Sequence, residues 1–106
     1  MRAIRAEKFS GYEALKLVEL PKPAILDGRV LLRMTAAGVT PLDHTILSGQ
    51  FHASKAPLVL GNEGAGVVEK GGGTDFPDGS RVMFFGAYGA FEDGTYSEWI
   101  AVRKQD

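Results

Sequence analysis

The chain has 106 residues, with 12 lysines and arginines against 13 aspartates and glutamates, so its formal net charge is -1. This length fits one domain and excludes a dinucleotide-binding fold joined to a separate substrate domain. The charge balance argues against binding to nucleic acid phosphates, and the lack of cysteine in the sequence excludes disulfides, cysteine zinc sites, iron–sulfur clusters and thiol nucleophiles.

The sequence predicts a mainly β fold. The 14 glycines and 5 prolines exceed the average share and favour a turn-rich β structure over a helical bundle. Residues 1–9 and 12–20 read as a hairpin that ends at prolines, and residues 29–35 show the clearest alternation of apolar and polar side chains. Further strands are predicted over 67–70, 81–85 and 95–102. Six or seven short strands indicate a small barrel or partly open sandwich.

One short helix is predicted to begin after Thr40. The Thr40 hydroxyl can cap the helix, Pro41 suits its first position, and Asp43 follows the cap by three residues. Ile46 contributes to a one-sided apolar face, and Gly49 supplies a stop signal. We therefore expect Asp43 to order this helix.

The glycine-rich stretch 61–66 does not fit a dinucleotide-binding turn. In the register Gly64-x-Gly66, Glu69 stands where a third glycine belongs, and a strand follows instead of a helix. Such a segment offers no helix N-terminus to a pyrophosphate. The glycines are therefore predicted to allow a bend and close packing of strands.

Other candidate sites are weaker. His44 and His52 match no compact metal motif and are predicted to be solvated or hydrogen-bonded. Asp43 and Glu63 could line one pocket, although Asp43 already has a role in the helix cap. The aromatic residues Tyr88 and Phe91, in a glycine-rich loop over 86–94, are predicted to be exposed and to close the mouth of the barrel or pack on a second domain.

Seven motifs occur in a characteristic order along the chain, over residues 1–4, 20–23, 36–43, 48–51, 57–68, 79–82 and 94–99. In this order they resemble the N-terminal, GroES-like catalytic domain of medium-chain dehydrogenases and reductases. The branch that the chain resembles is the zinc-independent one, the quinone oxidoreductases (zeta-crystallin-like). The resemblance covers essentially all 106 residues and implies a GroES-like, partly open β-barrel with one short helix.

The resemblance also implies that no metal is bound. Zinc-dependent members have a cysteine where Thr40 stands and a histidine where Asn62 stands, followed by an acidic residue that matches Glu63. Neither threonine nor asparagine is a good zinc ligand. The zinc-free branch usually has asparagine at position 40 and tyrosine at position 45, so Thr40 and Thr45 alter the set of hydrogen-bond donors.

The activity that the resemblance implies is hydride transfer from NADPH to a quinone or an activated alkene. The implied catalytic donors are Thr40 and Thr45. The residues expected to contact the cofactor are Thr40, Pro41 and Thr45. The residues expected to line the substrate pocket are Asp43, Phe51, Asn62 and Glu63.

Residues 1–106 are expected to form a single catalytic domain without the family's nucleotide-binding Rossmann half. The isolated chain should then be inactive, bind NADPH weakly, and self-associate through the face left by the absent half. The expected partner is a small quinone or enone-like molecule, not a nucleic acid or a membrane, and the expected location is cytoplasmic. Two alternatives stay open: a cofactor-free GroES-like module for binding or assembly, and a nucleic acid binder of the OB type.

Overall fold

The computed structural model describes residues 1–25 and 27–106. This part of the chain contains seven strands, one α-helix and a single 3-10 turn over Tyr12–Ala14. The strands are β1 (Arg2–Ala6), β2 (Leu15–Glu19), β3 (Arg29–Ala37), β4 (Leu58–Val59), β5 (Glu63–Lys70), β6 (Arg81–Phe85) and β7 (Trp99–Arg103), and the helix is α1 (Pro41–Leu47). No helix in these ranges is long and apolar enough to cross a membrane.

The strands form two antiparallel sheets. One has the order β2-β1-β4 and the other the order β6-β5-β3-β7. A single bridge between Ala3 and Ser97 connects β1 to the segment before β7. Within the described ranges the strands close no complete barrel, so the prediction of a mainly β, partly open fold with one short helix is confirmed.

Two predicted strands have different boundaries in the structure. The second strand begins at Leu15, because the Ala14 amide donates back to the Gly11 carbonyl and forms the 3-10 turn. The last strand begins at Trp99, because Tyr96 is bonded elsewhere. Its amide donates to the Leu60 carbonyl, and its own carbonyl accepts from Ile4. The residues around position 96 therefore link the two sheets instead of extending β7.

The larger core lies under the four-stranded sheet. Its buried members come from β3, β5, β6, β7 and the loop between β6 and β7: Val30, Leu32, Val68, Phe84, Tyr88, Ile100 and Val102. Tyr88 is fully buried, so the prediction that it is exposed was wrong. Its ring packs edge-on against Phe84 at 5.5 Å between centroids, and its hydroxyl donates to Asp106. Phe91 is exposed, as predicted.

A second core fixes helix α1 on the three-stranded sheet. Its buried members are Ala6, Ile46, Leu47, Leu58, Leu60 and Ala90. Ile46 and Leu47 lie on the apolar side of α1, as the one-sided pattern predicts. This packing holds the first turn of α1 next to the glycine-rich bend between β4 and β5.

Two glycines allow β5 to approach β3 closely. A Cβ atom at Gly66 would lie 2.5 Å from the carbonyl oxygen of Arg33, and one at Gly64 would lie 2.8 Å from that of Ala36. Side chains cannot fit at these distances, so only glycine permits this pairing. The structure thus confirms the prediction that the glycine-rich stretch serves a bend and close strand packing.

Candidate functional site

The carboxylate of Asp43 joins three segments at the start of α1. Only 4 % of this residue is exposed. Its Oδ2 atom accepts hydrogen bonds from the Thr40 amide at 2.9 Å and from the Tyr96 hydroxyl at 2.9 Å, and its Oδ1 atom accepts one from the Gly61 amide at 3.1 Å. Pro41 is the first helical residue. The predicted helix start is therefore confirmed, and Asp43 also holds the glycine-rich bend and the segment before β7.

Tyr96 keeps its proton well above neutral pH. Burial raises the pKa of its hydroxyl, and the hydrogen bond to the Asp43 carboxylate raises it further. The tyrosine therefore remains a donor to Asp43 over the physiological range. No local sequence pattern predicts this bond, because Tyr96 and Asp43 lie 53 positions apart in the chain.

Thr40 and Asn62 form a second hydrogen-bonded pair next to this carboxylate. The Thr40 hydroxyl donates to Oδ1 of Asn62 at 3.0 Å and lies 3.4 Å from Oδ2 of Asp43. The Asn62 amide nitrogen has no hydrogen-bond partner among residues 1–25 and 27–106. Because an amide NH₂ group carries two donors, Asn62 has two donors that no described residue accepts.

Thr45 and Pro41 lie one helical turn apart on α1. The Thr45 hydroxyl donates to the Pro41 carbonyl at 3.1 Å, so its proton is used within the helix. Pro41 is exposed and Thr45 is half-buried. The structure thus brings Thr40, Asp43 and Asn62 together and leaves Thr45 outside their hydrogen-bond network.

The two other predicted pocket residues lie apart from the Asp43 carboxylate. Phe51 packs against the core under α1, and its ring meets that of Phe91 edge-on at 6.0 Å. Glu63 is exposed at the start of β5. Its side chain lies next to Gly38, where any Cβ atom would collide with the carboxylate. Glu63 therefore borders an open groove against β6 instead of the hydrogen-bond network.

A cavity of about 470 Å³ opens beside α1, within the usual size range of small-molecule sites. Its apolar walls include Ile4, Leu15, Val39 and Leu60, and its polar lining is Thr40, Asp43, Tyr96, His44 and Tyr12. The last two form a pair at its rim, with the Tyr12 hydroxyl 3.2 Å from Nδ1 of His44. The prediction that His44 is hydrogen-bonded is confirmed, and the exposed His52 agrees with its predicted solvation.

The polar groups around Asp43 do not fit a zinc ion. Both Asp43 oxygens already accept hydrogen bonds, while Thr40 and Asn62 offer only neutral oxygens. Zinc prefers thiolate, imidazole and free carboxylate ligands. Across the ranges that the structure describes, no group of three or more histidine, aspartate or glutamate side chains is arranged to hold a metal ion.

Comparison with known proteins identifies the family. The model of the alcohol dehydrogenase GroES-like domain matches residues 26–106. Quinone oxidoreductase of Rattus norvegicus is 37% identical over 103 residues, an alignment that covers 93% of this chain and 30% of that protein.

Two solved structures support the same assignment. The quinone oxidoreductase of Pseudomonas syringae pv. tomato DC3000 superposes with a TM-score of 0.82 at 34% identity, over 97% of this chain and 31% of that one. A cobalt- and zinc-bound thermostable alcohol dehydrogenase of Pyrobaculum aerophilum superposes with a TM-score of 0.87 at 31% identity, over 100% of this chain and 40% of that one. The chain therefore spans about a third of the relatives it matches. It belongs to the alcohol dehydrogenase GroES-like domain family of the medium-chain dehydrogenases and reductases.

Proposed function

We propose that this chain is the substrate-side domain of a zinc-independent, NADPH-dependent oxidoreductase that reduces quinones or activated alkenes. One observation carries the proposal. The Asn62 amide is oriented by its bond to Thr40, which is itself fixed through the Asp43 network, and its two donors have no other partner in the described ranges. A preorganised donor of this kind can stabilise negative charge that develops on a substrate oxygen.

The donor set supports zinc independence. In zinc enzymes the metal polarises the substrate oxygen as a Lewis acid. Here the Asp43 carboxylate is occupied by three donors, and Thr40 and Asn62 are poor metal ligands. We therefore assign the polarising role to the Asn62 amide, with the Thr40 hydroxyl as its positioning partner.

A reduced nicotinamide supplies a hydride when it is bound. Thr40, Pro41 and Thr45 are the residues proposed to contact its ring. The exposed proline ring offers a flat apolar surface, and the Thr45 oxygen retains lone pairs that can accept from a carboxamide. The phosphate and ribose contacts belong, in this proposal, to the two thirds of the relatives that the chain does not span.

The residues of this chain would act on the substrate oxygen. When the electron pair of the hydride enters a quinone or an alkene conjugated to a carbonyl, negative charge gathers on that oxygen. The Asn62 amide would donate to it there, and a proton from solvent would complete the hydroxyl or the carbonyl product. One such donor contributes about 10²-fold to the rate in enzymes that stabilise an oxyanion. Phe51 is proposed to contact the substrate's apolar part, and Glu63 to border the pocket entrance.

The test is a titration with 1,4-naphthoquinone, followed by ¹⁵N NMR of the 106-residue chain. We expect shifts at Thr40 and Asn62, and weaker binding of naphthalene, which lacks the oxygens. Asn62→Ala should weaken naphthoquinone binding about tenfold, because the lost hydrogen bond contributes about 1.4 kcal/mol. Gln105→Ala removes an exposed amide at a distant position and serves as the matched control. Equal binding of the two probes, or no effect of Asn62→Ala, would contradict the proposal.

The cofactor assignment has its own measurement. Titration with NADPH, followed by its fluorescence, should give an affinity weaker than micromolar, because this chain supplies only the contacts near the nicotinamide. A micromolar dissociation constant would contradict that part of the account. Quinone binding without NADPH binding fits the reductase domain, whereas binding of neither would favour the cofactor-free assembly module. A cytoplasmic location remains part of the proposal.

A further inference from the structure

The outer face of strand β6 carries two large apolar side chains that are exposed to solvent. Met83 is 84 % exposed and Phe85 is 72 % exposed, although Phe84 between them is buried in the core. In the pairing of β6 with β5, Met83 lies opposite Ala65. The small alanine leaves the methionine uncovered, so the face presents a contiguous apolar patch. Patches of this kind mark interaction surfaces.

Strand β6 is also an edge of its sheet. It pairs with β5 on one side, and no described strand pairs with its other side. Edge strands usually avoid pairing by carrying proline or charged side chains. The sequence of β6, Arg-Val-Met-Phe-Phe, contains no proline or lysine, and its one charge, Arg81, is its first residue. The edge of the other sheet differs, because β2 carries Lys16 and Glu19 beside its exposed Leu17. The β6 edge is therefore available for a further strand.

Charges of opposite sign flank the patch. Arg81 on β6 and Arg33 on β3 both lie opposite Val67 of β5, so two arginines stand at one end of the patch. Glu63 lies opposite Phe85 at the other end. Within residues 1–25 and 27–106, neither Arg81 nor Glu63 forms an ion pair. Each end of the patch therefore has an unused charge that complements the opposite end.

We propose that the β6 edge is an interface between two copies of this chain, paired antiparallel about a two-fold axis at Met83. In this register Arg81 of each copy lies opposite Phe85 of the other, a cation–π arrangement. Glu63 of the other copy stands one strand further, about 10 Å away at two strand spacings, within reach of two long side chains. A two-fold interface joins the same surface of both copies, so each contact occurs twice. Here Arg81 of either copy meets Phe85 and approaches Glu63 of the other.

The inference does not depend on the reductase function, and its experiment is separate. Sedimentation velocity of the 106-residue chain over a range of concentrations should show a reversible dimer. Met83→Lys places a charge on the edge and should abolish it. Leu17→Lys makes the same change at a similarly exposed apolar residue, on the edge strand of the other sheet, and should leave the dimer intact. Circular dichroism is the folding control, and because both side chains are exposed we expect both variants to give the spectrum of the unmutated chain.

The register is tested by charge reversal. Arg81→Glu and Glu63→Arg should each weaken dimerisation about tenfold, because each places like charges near one another across the interface. The double variant should restore dimerisation, because positions 81 and 63 then carry opposite charges again. A chain that stays monomeric at millimolar concentration would overturn the proposal and leave the face to a different partner, such as a further domain. Dimers that persist in Met83→Lys, or that the double charge reversal fails to restore, would also overturn it.

Discussion

Two tyrosines in this chain, the buried Tyr88 and the half-buried Tyr96, each donate a hydrogen bond to an aspartate, and the surroundings of the two pairs differ. Tyr96 donates to Asp43 at 2.9 Å, and Tyr88 donates to Asp106 at 2.6 Å. Asp43 accepts its other bonds from backbone amides and makes no ion pair within the described ranges. Asp106 instead has the guanidinium of Arg103 at 3.1 Å.

The pair of Tyr88 and Asp106 belongs to a network of charges that holds the loop following β6 against strand β7. Glu92 bonds Arg29 at 2.7 Å and Arg103 at 2.9 Å. Burial alone would raise the pKa of Glu92, but these two guanidinium groups together hold it below its ordinary value. The amide of Arg103 also donates to the Tyr88 hydroxyl at 2.8 Å. Every charge in this network has an opposite charge beside it.

The difference separates a structural network from a candidate site. The negative charge of Asp106 is compensated by Arg103, whereas that of Asp43 is compensated only by neutral donors. A buried carboxylate that only neutral donors stabilise depends on keeping all of its hydrogen bonds, because no opposite charge offsets its own. At Asp43 the result is an ordered Thr40–Asn62 pair, of which Thr40 lines the cavity. At Asp106 the result is a loop held against β7.

The largest effect is expected when the Asp43 carboxylate is removed. Asp43→Ala leaves two amides and the Tyr96 hydroxyl without their acceptor and should lower the free energy of unfolding by about 3–5 kcal/mol. Asp106→Ala should cost about 1 kcal/mol, since Arg103 keeps Glu92 as a partner and Tyr88 still accepts from the Arg103 amide. Urea unfolding measures both variants, and equal losses would remove the distinction between the two networks.

A smaller effect is expected at alkaline pH. Burial, followed by the bond to Asp106, raises the pKa of Tyr88 to about 12, and Tyr96 shifts in the same direction. Both tyrosines ionise near pH 10 in the unfolded chain, so the stability that they contribute is complete below about pH 10 and is lost as the pH rises towards 12. The slope should be at most about 1.4 kcal/mol per pH unit for each tyrosine.

Replacing each tyrosine by phenylalanine shows how much of this pH dependence each one contributes. Tyr96→Phe and Tyr88→Phe should each flatten the fall in unfolding free energy between pH 10 and 12, measured by urea unfolding at fixed ionic strength. A slope that neither variant changes would mean that other groups govern alkaline unfolding.

The local parts of the structure could be predicted from the sequence. The start of α1 depends on Thr40, Pro41 and Asp43, which are neighbours in the chain, and the alternation of residues 29–35 reports the burial of one face of a strand. The close approach at Gly64 and Gly66 was predictable because glycine in a strand signals close backbone contact.

The non-local parts could not be predicted. The glycine-rich loop predicts an exposed Tyr88, but its burial depends on Phe84 and on Asp106, 18 positions later. The bond between Tyr96 and Asp43 spans 53 positions and leaves no local pattern. The bond from the Thr45 hydroxyl to the Pro41 carbonyl was predictable, since a threonine inside a helix commonly donates to the carbonyl four residues earlier.

We propose that the Thr40–Asn62 pair binds substrate and that the Asp106 network contributes only to stability. The most direct measurement is the dissociation constant of 1,4-naphthoquinone for Asn62→Ala and Asp106→Ala under identical conditions. We expect about tenfold weaker binding in Asn62→Ala and unchanged binding in Asp106→Ala. Unchanged binding in Asn62→Ala, or equal weakening in both variants, would contradict this proposal.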